Sequence, residues 1–262
     1  MRKIKKCIYK TFLGVKGKLQ VGNNYTLFPK PDDVLINSYP KSGNTWVRFL
    51  LANALYPEAE VDFHTIHDLI PEVGDEEMRC SDLPPPRLLK SHAPYTSDYP
   101  RVIYILRDGR DAYTSYFNYR QPDLDDETTF EDFLKENRWP CRWSEHVEGW
   151  TSAAEGSEDI LVVRFEDLKE DSARELRRMA AFLGVESISD SRIQRAVQAS
   201  SFENMKRLEQ ERGRKYGDVD QFMRKGKAGS WKEVFTDVAR DIFKTKEGEQ
   251  LVRLGYEEES DW

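Results

Sequence analysis

The sequence has few cysteines, no long apolar run and no excess of positive charge. Its 262 residues include 3 cysteines, Cys7, Cys80 and Cys141, which are far apart and form no Cys-x-x-Cys pair. This pattern does not support a disulfide framework or a zinc site, and it favours a reducing, cytoplasmic environment. No window of about 18 apolar residues occurs, so no membrane span is predicted.

The charge balance is acidic, because 40 Lys and Arg stand against 47 Asp and Glu and give a formal net charge of -7. A general nucleic-acid-binding protein carries a basic excess, so binding to nucleic acid is not expected. An acidic protein can still bind an anionic ligand if its basic residues converge on one place. The aromatic content of 12% argues against a disordered chain.

The first ten residues depart from this balance, because five of them are Lys or Arg. Lys16 and Lys18 interrupt any apolar run behind this segment, so a secretory signal is not predicted. We interpret residues 1–32 as a basic N-terminal arm and lead-in, and residues 33–262 as a single domain. Two roles stay open for the arm: a solvated segment packed on the domain, which is favoured, and a contact with anionic lipid at a membrane.

Short apolar runs alternate with helical patterns along the chain. The sequence contains no internal repeat or low-complexity tract. Strands are predicted at residues 34–36, 87–90, 102–106 and 160–163, and helices at residues 46–55, 108–119 and 172–183. Strands that alternate with helices predict an α/β protein with a central, mostly parallel sheet flanked by helices on both faces.

A glycine-containing loop joins the first predicted strand to the first predicted helix. It reads Tyr-Pro-Lys-Ser-Gly-Asn-Thr-Trp and ends at Trp46. Backbone N–H groups in such a loop, together with the positive end of the following helix, can bind a phosphate group. Lys41, Ser42 and Thr45 add side-chain donors. The loop departs from the Walker pattern, because its Lys precedes Gly43 by two positions. Considered alone, it supports a phosphate site and an ordinary strand–helix turn about equally.

Two further segments carry residue types suited to group transfer. His92 follows Lys90 at the end of a predicted strand, and histidine is the natural general base near neutral pH. Arg107 follows the strand with the strongest signal, and its planar guanidinium can bind a phosphate through two hydrogen bonds. A lone histidine is more often structural, and acidic residues after such an arginine often stabilise a helix start. The order of the segments behind a phosphate loop favours a shared site.

Together, these segments resemble the cytosolic-type sulfotransferases, which use 3′-phosphoadenylyl sulfate (PAPS). The Tyr-Pro-Lys-Ser-Gly-Asn-Thr-Trp loop resembles their 5′-phosphosulfate loop, with Asn44 where the family usually has Thr. The segment around His92 resembles their catalytic strand, and the segment from Arg107 to Ser115 resembles their 3′-phosphate motif. The resemblance runs from about residue 33 to residue 241, is nearer to bacterial than to animal members, and implies a P-loop-like three-layer α/β fold.

The resemblance also implies a reaction. A sulfuryl group would pass from PAPS to a hydroxyl or amine of a small-molecule acceptor, releasing adenosine 3′,5′-bisphosphate (PAP), with no metal. His92 would be the general base, Lys41 and Lys90 would stabilise the transferring group and the leaving oxygen, and Ser115 would complete the catalytic set beside the 3′-phosphate. The implied acceptor-binding residues are Lys90, His92 and Tyr119.

The implied nucleotide-binding residues come from the same motifs and from segments nearer the C-terminus. They are Lys41, Ser42, Gly43, Asn44, Thr45, Trp46, Arg107, Ser115, Phe165, Ser200, Phe202, Arg224, Lys225 and Gly226. Phe165 stands where the family has a tyrosine that touches adenine. The polar segment 207–221 is interpreted as a lid over the nucleotide, or alternatively as a plain surface loop. A segment resembling the dimerisation motif of animal members has Asp237 at an apolar position, so the oligomeric state is left open.

Two other functions stay open at this stage. An ATP-dependent phosphotransferase of the P-loop type would share the fold, but the position of Lys41 and the separate 3′-phosphate motif argue against it. A catalytically silent PAP-binding protein would keep the nucleotide motifs, but the presence of Lys90 and His92 argues against that.

Overall fold

The computed structural model describes residues 29–73, 86–185, 187–214, 223, 224, 226–259 and 262. Within them, the strands are β1 Val34–Ser38, β2 Leu88–Ser91, β3 Arg101–Leu106 and β4 Ile160–Arg164. Neighbouring strands pair in parallel in the order β2-β1-β3-β4. The parallel sheet predicted from the sequence is therefore confirmed.

Helices cover both faces of this sheet. They are α1 Asn44–Leu55, α2 Ile66–Leu69, α3 Gly109–Arg120, α4 Phe130–Lys135, α5 Trp143–Ala154, α6 Phe165–Glu170, α7 Ser172–Phe182, α8 Asp190–Ala199, α9 Phe202–Arg212 and α10 Asp237–Arg253. Two short 3₁₀ helices span Gln121–Asp123 and Ser230–Glu233. None of the helices in the described ranges is long and apolar enough to cross a bilayer.

Two hydrophobic cores lie on opposite sides of the sheet. Successive side chains of a strand point to opposite faces. Accordingly Val34 and Ile36 of β1 pack into the core that contains α1, α7 and α8. Leu35 of β1 and Tyr104 of β3 pack into the core that contains α3, α5 and α10. A three-layer α/β architecture follows from this arrangement, and all five residues of β1 are buried as a consequence.

The carboxyl ends of the strands meet at one edge of the sheet, where ligands bind in open parallel sheets. The chain leaves β1 into the glycine loop before α1, leaves β2 at His92, leaves β3 at Arg107 and enters α6 at Phe165 directly after β4. The topology therefore brings segments far apart in sequence to the same edge.

One expectation about local structure needs correction. Residues 207–212 belong to α9 and are not part of a loop. Ser201 caps this helix by accepting a hydrogen bond from the Asn204 backbone, and Met205 and Leu208 bury its inner face. Residues 215–221 of the expected lid, and residues 1–28 of the expected basic arm, lie outside the described residues.

Candidate active site

A cavity of about 450 Å³ opens at the carboxyl edge of the sheet. Most of the residues proposed from the sequence line it: Lys41, Gly43, Asn44, Thr45, Trp46, Lys90, His92, Arg107, Ser115, Tyr119, Phe165, Phe202, Arg224 and Gly226. Ser42 and Ser200 are buried and do not lie on the cavity surface. Lys225 lies outside the described residues.

The loop after β1 passes through the left-handed backbone region at two residues. Lys41 has a φ of 67°, and Gly43, at the N-cap of α1, has a φ of 105°. This conformation strains any residue with a side chain, and a Cβ at Gly43 would also approach Cδ2 of Phe165 to 2.8 Å. Glycine is therefore required here, and it lets the start of α1 lie close to the aromatic wall of the cavity.

Asn44 uses its side chain inside the protein. The Nδ2 group donates to the carbonyl of Ile36 at 2.9 Å and lies 3.4 Å from the carbonyl of Ser91. These bonds tie the end of β1 to the end of β2, which carries His92. The Nδ2 donor is therefore committed to the scaffold, and the backbone N–H at the start of α1 is the donor left for a phosphate.

His92 is held in one orientation and kept neutral. Its Nδ1 lies 2.7 Å from the carbonyl oxygen of Ser38, which can only accept, so Nδ1 carries the proton. The lone pair is then on Nε2. Burial, followed by the nearby charge of Lys90, lowers the pKa of His92 to about 3. An unprotonated imidazole with a free acceptor nitrogen is the form that a general base needs.

A second histidine supports the first from the core. His146 is fully buried, and its Nδ1 lies 2.8 Å from the hydroxyl of Tyr104. Its Nε2 lies 3.3 Å from the carbonyl oxygen of His92. Because that carbonyl accepts, Nε2 donates and Nδ1 accepts from Tyr104. His146 thus fixes the backbone of His92.

Lys90 is paired with a carboxylate that the sequence patterns did not single out. Its Nζ lies 3.0 Å from Oε2 of Glu72, and residue 72 bridges to residue 90 at the edge of β2. Burial lowers the pKa of Lys90, while the charge of Glu72 opposes this change. Burial would raise the pKa of Glu72, but the charge and hydrogen bond of Lys90 together with other nearby charges outweigh it and hold that pKa at about 2. Glu72 is therefore ionised at neutral pH, and its charge favours the protonated form of Lys90.

Lys41 lies among other cations. Its Nζ is 4.5 Å from the centroid of the Tyr119 ring, a cation–π contact. Burial, together with the charges of Arg214 and Arg107, lowers the pKa of Lys41 well below its ordinary value. A bound anion would relieve this repulsion and raise the pKa of the lysine.

Arg107 connects two loops at the edge of the cavity. Its guanidinium donates to the carbonyl of Lys41 at 2.9 Å and to the carbonyl of Lys227 at 3.1 Å, and it lies 4.3 Å above the Phe165 ring. Its buried Nε has no hydrogen-bond partner among the described residues. The buried hydroxyl of Thr114, also on the cavity wall, is unpartnered in the same sense. A polar ligand would satisfy both groups.

Aromatic side chains form one wall of the cavity. Trp46 meets Phe165 edge to face at 5.7 Å, and its Nε1 donates to the carbonyl of Ser200 at 2.9 Å. Phe202 packs so closely on Gly226 that a Cβ there would be 2.5 Å from its ring. These rings offer flat apolar surface for a base, and Ser200 contributes by holding Trp46 in place.

The electrostatic character of the cavity is strongly positive. Nine Lys or Arg side chains line it among the described residues, against the single carboxylate of Glu72. Such a wall, with the unpartnered donors of Arg107 and Thr114, fits a ligand that carries several negative charges. No group of three or more His, Cys, Asp or Glu side chains within the described ranges could hold a metal ion.

Several lining residues had no sequence signal of their own. They include Arg48, Glu72, Thr114, Arg120, Lys169 and Arg214. Lys169 follows Phe165 by one helical turn on α6, and its Nζ lies 5.6 Å from the Trp46 ring, so helical spacing could have found it. Glu72 and Arg214 reach the site only through the tertiary fold.

Comparison with protein families gives a match over most of the chain. The family model described as "Sulfotransferase domain" matches residues 31–254. "Cytosolic sulfotransferase 1" of Danio rerio is 31% identical over 247 residues, which cover 82% of this chain and 81% of that protein. "Sulfotransferase 1A1" of Bos taurus is 31% identical over 242 residues, with 81% of each chain covered.

Among solved structures, the chain is similar to mouse sulfotransferase SULT7A1 in complex with PAP. The TM-score is 0.68 and the sequence identity is 25%, and 88% of each chain is covered. The cavity described above lies on the edge of a fold shared with a protein that holds this nucleotide.

Proposed function

The chain belongs to the sulfotransferase domain family and is a sulfotransferase, and from this premise we propose that it moves a sulfuryl group from PAPS to a hydroxyl or amine of a small-molecule acceptor and releases PAP. The observation that carries the proposal is a neutral, oriented His92 in a cavity lined by nine cationic side chains. We assign the protein to the cytoplasm by analogy with the Danio rerio relative, whose name is cytosolic.

The nucleotide end of the cavity provides the donor site. Backbone amides of Gly43 to Thr45 and the side chain of Lys41 bind the 5′ end, where the helix α1 dipole adds positive charge. Arg107, Ser115 and Arg224 bind the 3′-phosphate. Trp46, Phe165 and Phe202 flank the base. PAPS itself supplies the sulfuryl group and departs as PAP.

His92 removes the proton from the acceptor. Its Nε2 lone pair faces the cavity because Nδ1 is bonded to Ser38. In the nucleotide complex the pKa of His92 rises from about 3, because negative charge near an imidazole favours its protonated form. The base therefore becomes stronger when the donor site is filled, which suits proton removal during attack on sulfur.

Lys41 and Lys90 stabilise the charge that develops during transfer. Fixed cations directed at developing negative charge lower the barrier because they need no reorganisation in the transition state. The carboxylate of Glu72, 3.0 Å from Nζ, favours the charged form of Lys90. Lys41 lies in the same loop that binds the 5′ end of the nucleotide.

The role of His92 is tested by the variant His92→Ala. Removing the base is expected to lower the rate of transfer from labelled PAPS by about 10²- to 10⁴-fold. The thermal stabilisation by PAP should be retained, because His92 is not assigned to the nucleotide. His64→Ala, at an exposed histidine, is the matched control and should keep full activity. Near-normal turnover of His92→Ala would refute the assignment.

Two measurements separate this proposal from its rivals. A phosphotransferase would be stabilised more by ATP with Mg²⁺ than by PAP, and we expect the reverse. A silent nucleotide-binding protein would bind PAP but transfer no label to any of a panel of phenols, alcohols, amines and sugars. Transfer to at least one class is expected here, because Lys90 and His92 both line the cavity.

A further inference from the structure

The chain that follows α10, residues 254–259 with residue 262, is bound to the part of the sheet edge that carries Phe165. We call it the C-terminal segment. The guanidinium carbon of Arg164, at the end of β4, lies 4.4 Å from the centroid of the Tyr256 ring in this segment. The hydroxyl of Tyr256 donates to Glu166 at 3.1 Å. The segment therefore contacts both chain neighbours of Phe165, which lines the cavity.

Arg110 joins the same segment to the start of α3. Its side chain is 3% exposed and pairs with Asp108 at 2.7 Å and with Glu257 of the C-terminal segment. Asp108 caps α3 by accepting a hydrogen bond from the Arg110 backbone at 2.9 Å. The backbone N–H of Asp108 donates to Glu166 at 3.1 Å. Arg110 therefore helps to fix the turn that carries Arg107, a residue of the cavity wall.

Two indole rings contact the guanidinium of Arg110. Its central carbon lies 4.0 Å from the centroid of the Trp231 ring and 4.5 Å from that of the Trp262 ring. The two indoles meet edge to face at 5.5 Å. Tryptophan forms the strongest cation–π contacts of the aromatic side chains, and exclusion of water strengthens them. Arg110 thereby links Trp262 of the C-terminal segment to Trp231, which follows the cavity residue Ser230 in the chain.

The loop that ends at Trp231 forms part of the cavity wall. Gly226, Lys227 and Ser230 all line the cavity. Arg107, whose buried Nε has no hydrogen-bond partner among the described residues, donates to the carbonyl of Lys227 at 3.1 Å. The loop is therefore held by Arg107 near its start and by the contacts of Trp231 at its end. A loop that is ordered before a ligand arrives lowers the entropic cost of binding.

We propose that Arg110 and Trp262 are positioning residues for the 3′-phosphate of the nucleotide. They hold the loop 226–231 and the turn of Arg107 in the arrangement that binds this group. Neither residue lines the cavity, so both act through their contacts with Trp231 and, for Arg110, with the cap of α3. The proposal rests on the sulfotransferase function above and extends its donor site to residues outside the cavity.

PAP and AMP form a matched pair of ligands for the test, because they differ only in the 3′-phosphate. In Trp262→Ala the dissociation constant for PAP, measured by titration calorimetry, should rise about 10-fold through loss of the cation–π contact. The constant for AMP should change by less than about 2-fold. Trp262→Phe keeps an aromatic ring and should retain most of the affinity for PAP. Val238→Ala, at an exposed apolar residue of α10, is the control and should change neither constant.

The variant Arg110→Lys tests the other partner of this contact. It keeps a positive charge beside Asp108 and Glu257 but loses the planar group that lies against the indoles. The same selective loss of affinity for PAP is expected. In transfer assays it should raise KM for PAPS about 10-fold and leave kcat at saturating PAPS within about 2-fold, because the groups at the transferring sulfur are untouched. Arg177→Lys, at an exposed arginine of α7, should change neither parameter.

Two outcomes would overturn the positioning role. An unchanged affinity for PAP in both variants would show that the loop does not need these contacts. An equal loss of affinity for PAP and AMP, or a fall in kcat without a rise in KM for PAPS, would indicate a general structural role. Failure of the sulfotransferase proposal has a different signature in the unchanged protein, namely no thermal stabilisation by PAP and no transfer to any acceptor.

Discussion

Lys90 and His92 are separated by one residue, but different partners set their charges. Glu72 favours the charged ammonium of Lys90 through an ion pair at 3.0 Å. Burial and that same ammonium keep the imidazole of His92 neutral. A fixed cation beside an unprotonated base is the combination that proton removal and charge stabilisation both need. Glu72 is therefore a positioning residue for this pair, since it acts through Lys90.

The variant Glu72→Gln tests this role through the pH dependence of kcat. The charge of Glu72 raises the pKa of Lys90, so its removal lowers that pKa further and Lys90 loses its proton at a lower pH. The alkaline limb of the kcat profile should therefore move to lower pH. A profile measured from pH 6 to pH 10 with one acceptor checks this shift.

Glu211→Gln, at an exposed glutamate paired with Arg207 on α9, controls for the loss of a carboxylate elsewhere. Its profile should match that of the unchanged protein. An unmoved alkaline limb in Glu72→Gln would show that Lys90 needs no partner. A merely structural role of Glu72 would lower kcat at all pH values without moving the limb.

Residues whose roles follow from neighbours in sequence could be predicted from the sequence. Lys41, Gly43 and His92 stand in short motifs, and each lines the cavity. Glu72 and Arg214 could not be predicted, because only the pairing of residue 72 with β2 and the end of α9 bring them to the site. Ser200 shows the reverse case: its motif suggested a nucleotide contact, and its backbone carbonyl holds Trp46.

At the scale of elements, the start of α3 anchors the C-terminal loop of the site. Asp111 in its first turn is 1% exposed and accepts hydrogen bonds from the backbone of Gly229 at 2.7 Å, the hydroxyl of Ser230 at 3.0 Å and the backbone of Trp231 at 2.9 Å. One carboxylate thus fixes the loop that carries Gly226 and Lys227. The helix that supplies Ser115 and the loop that closes the cavity are held as a unit.

Asp111→Asn should weaken nucleotide binding. The amide keeps the shape of the carboxylate but presents a donor to groups that also donate, so at least one charged hydrogen bond is lost. We expect the dissociation constant for PAP, measured by titration calorimetry, to rise about 10-fold. Asp132→Asn, at an exposed aspartate of α4, should leave it unchanged. An unaltered affinity in Asp111→Asn would mean that the loop does not need this anchor.

The elements themselves could largely be predicted from hydrophobic patterns. The run at 102–106 became β3, because its residues are buried on both faces of the sheet. The polarity of segment 207–221 predicts a lid or loop, yet residues 207–212 are helical. Ser201 caps this helix, α9, and only Met205 and Leu208 bury apolar surface in it. A helix with a good N-cap can form with a small apolar contact. Hydrophobicity averaged over a stretch of sequence does not detect so small a contact.

At the scale of the whole molecule, charge is segregated. The chain has a net charge of -7, yet nine cations line the cavity among the described residues. The acidic residues must therefore be concentrated elsewhere. A negative outer surface does not attract nucleotides over long distances, so selectivity for an anionic ligand comes from the converging side chains at short range. The sum of charges in a sequence cannot reveal such a cluster, because it discards position.

Two histidines with lowered pKa values make the stability of the fold dependent on pH. His92 and His146 have pKa values of about 3 and about 4 in the folded protein, against about 6.5 in an unfolded chain. Between these limits the unfolded chain binds protons that the folded protein does not. The contribution of these histidines to the free energy of unfolding is therefore fully present above about pH 6.5. It is lost as the pH falls, by up to about 1.4 kcal/mol per pH unit for each histidine.

His146→Gln isolates the share of the fully buried histidine. Urea unfolding at pH 7.5 and at pH 5.0 should show that the unchanged protein loses about 2 kcal/mol more than the variant between the two pH values. Gln can still donate to the carbonyl of His92 and accept from Tyr104, so the variant should fold. Equal losses would show that His146 takes up a proton in the folded protein at pH 5, which burial and its bonds to Tyr104 and His92 should prevent.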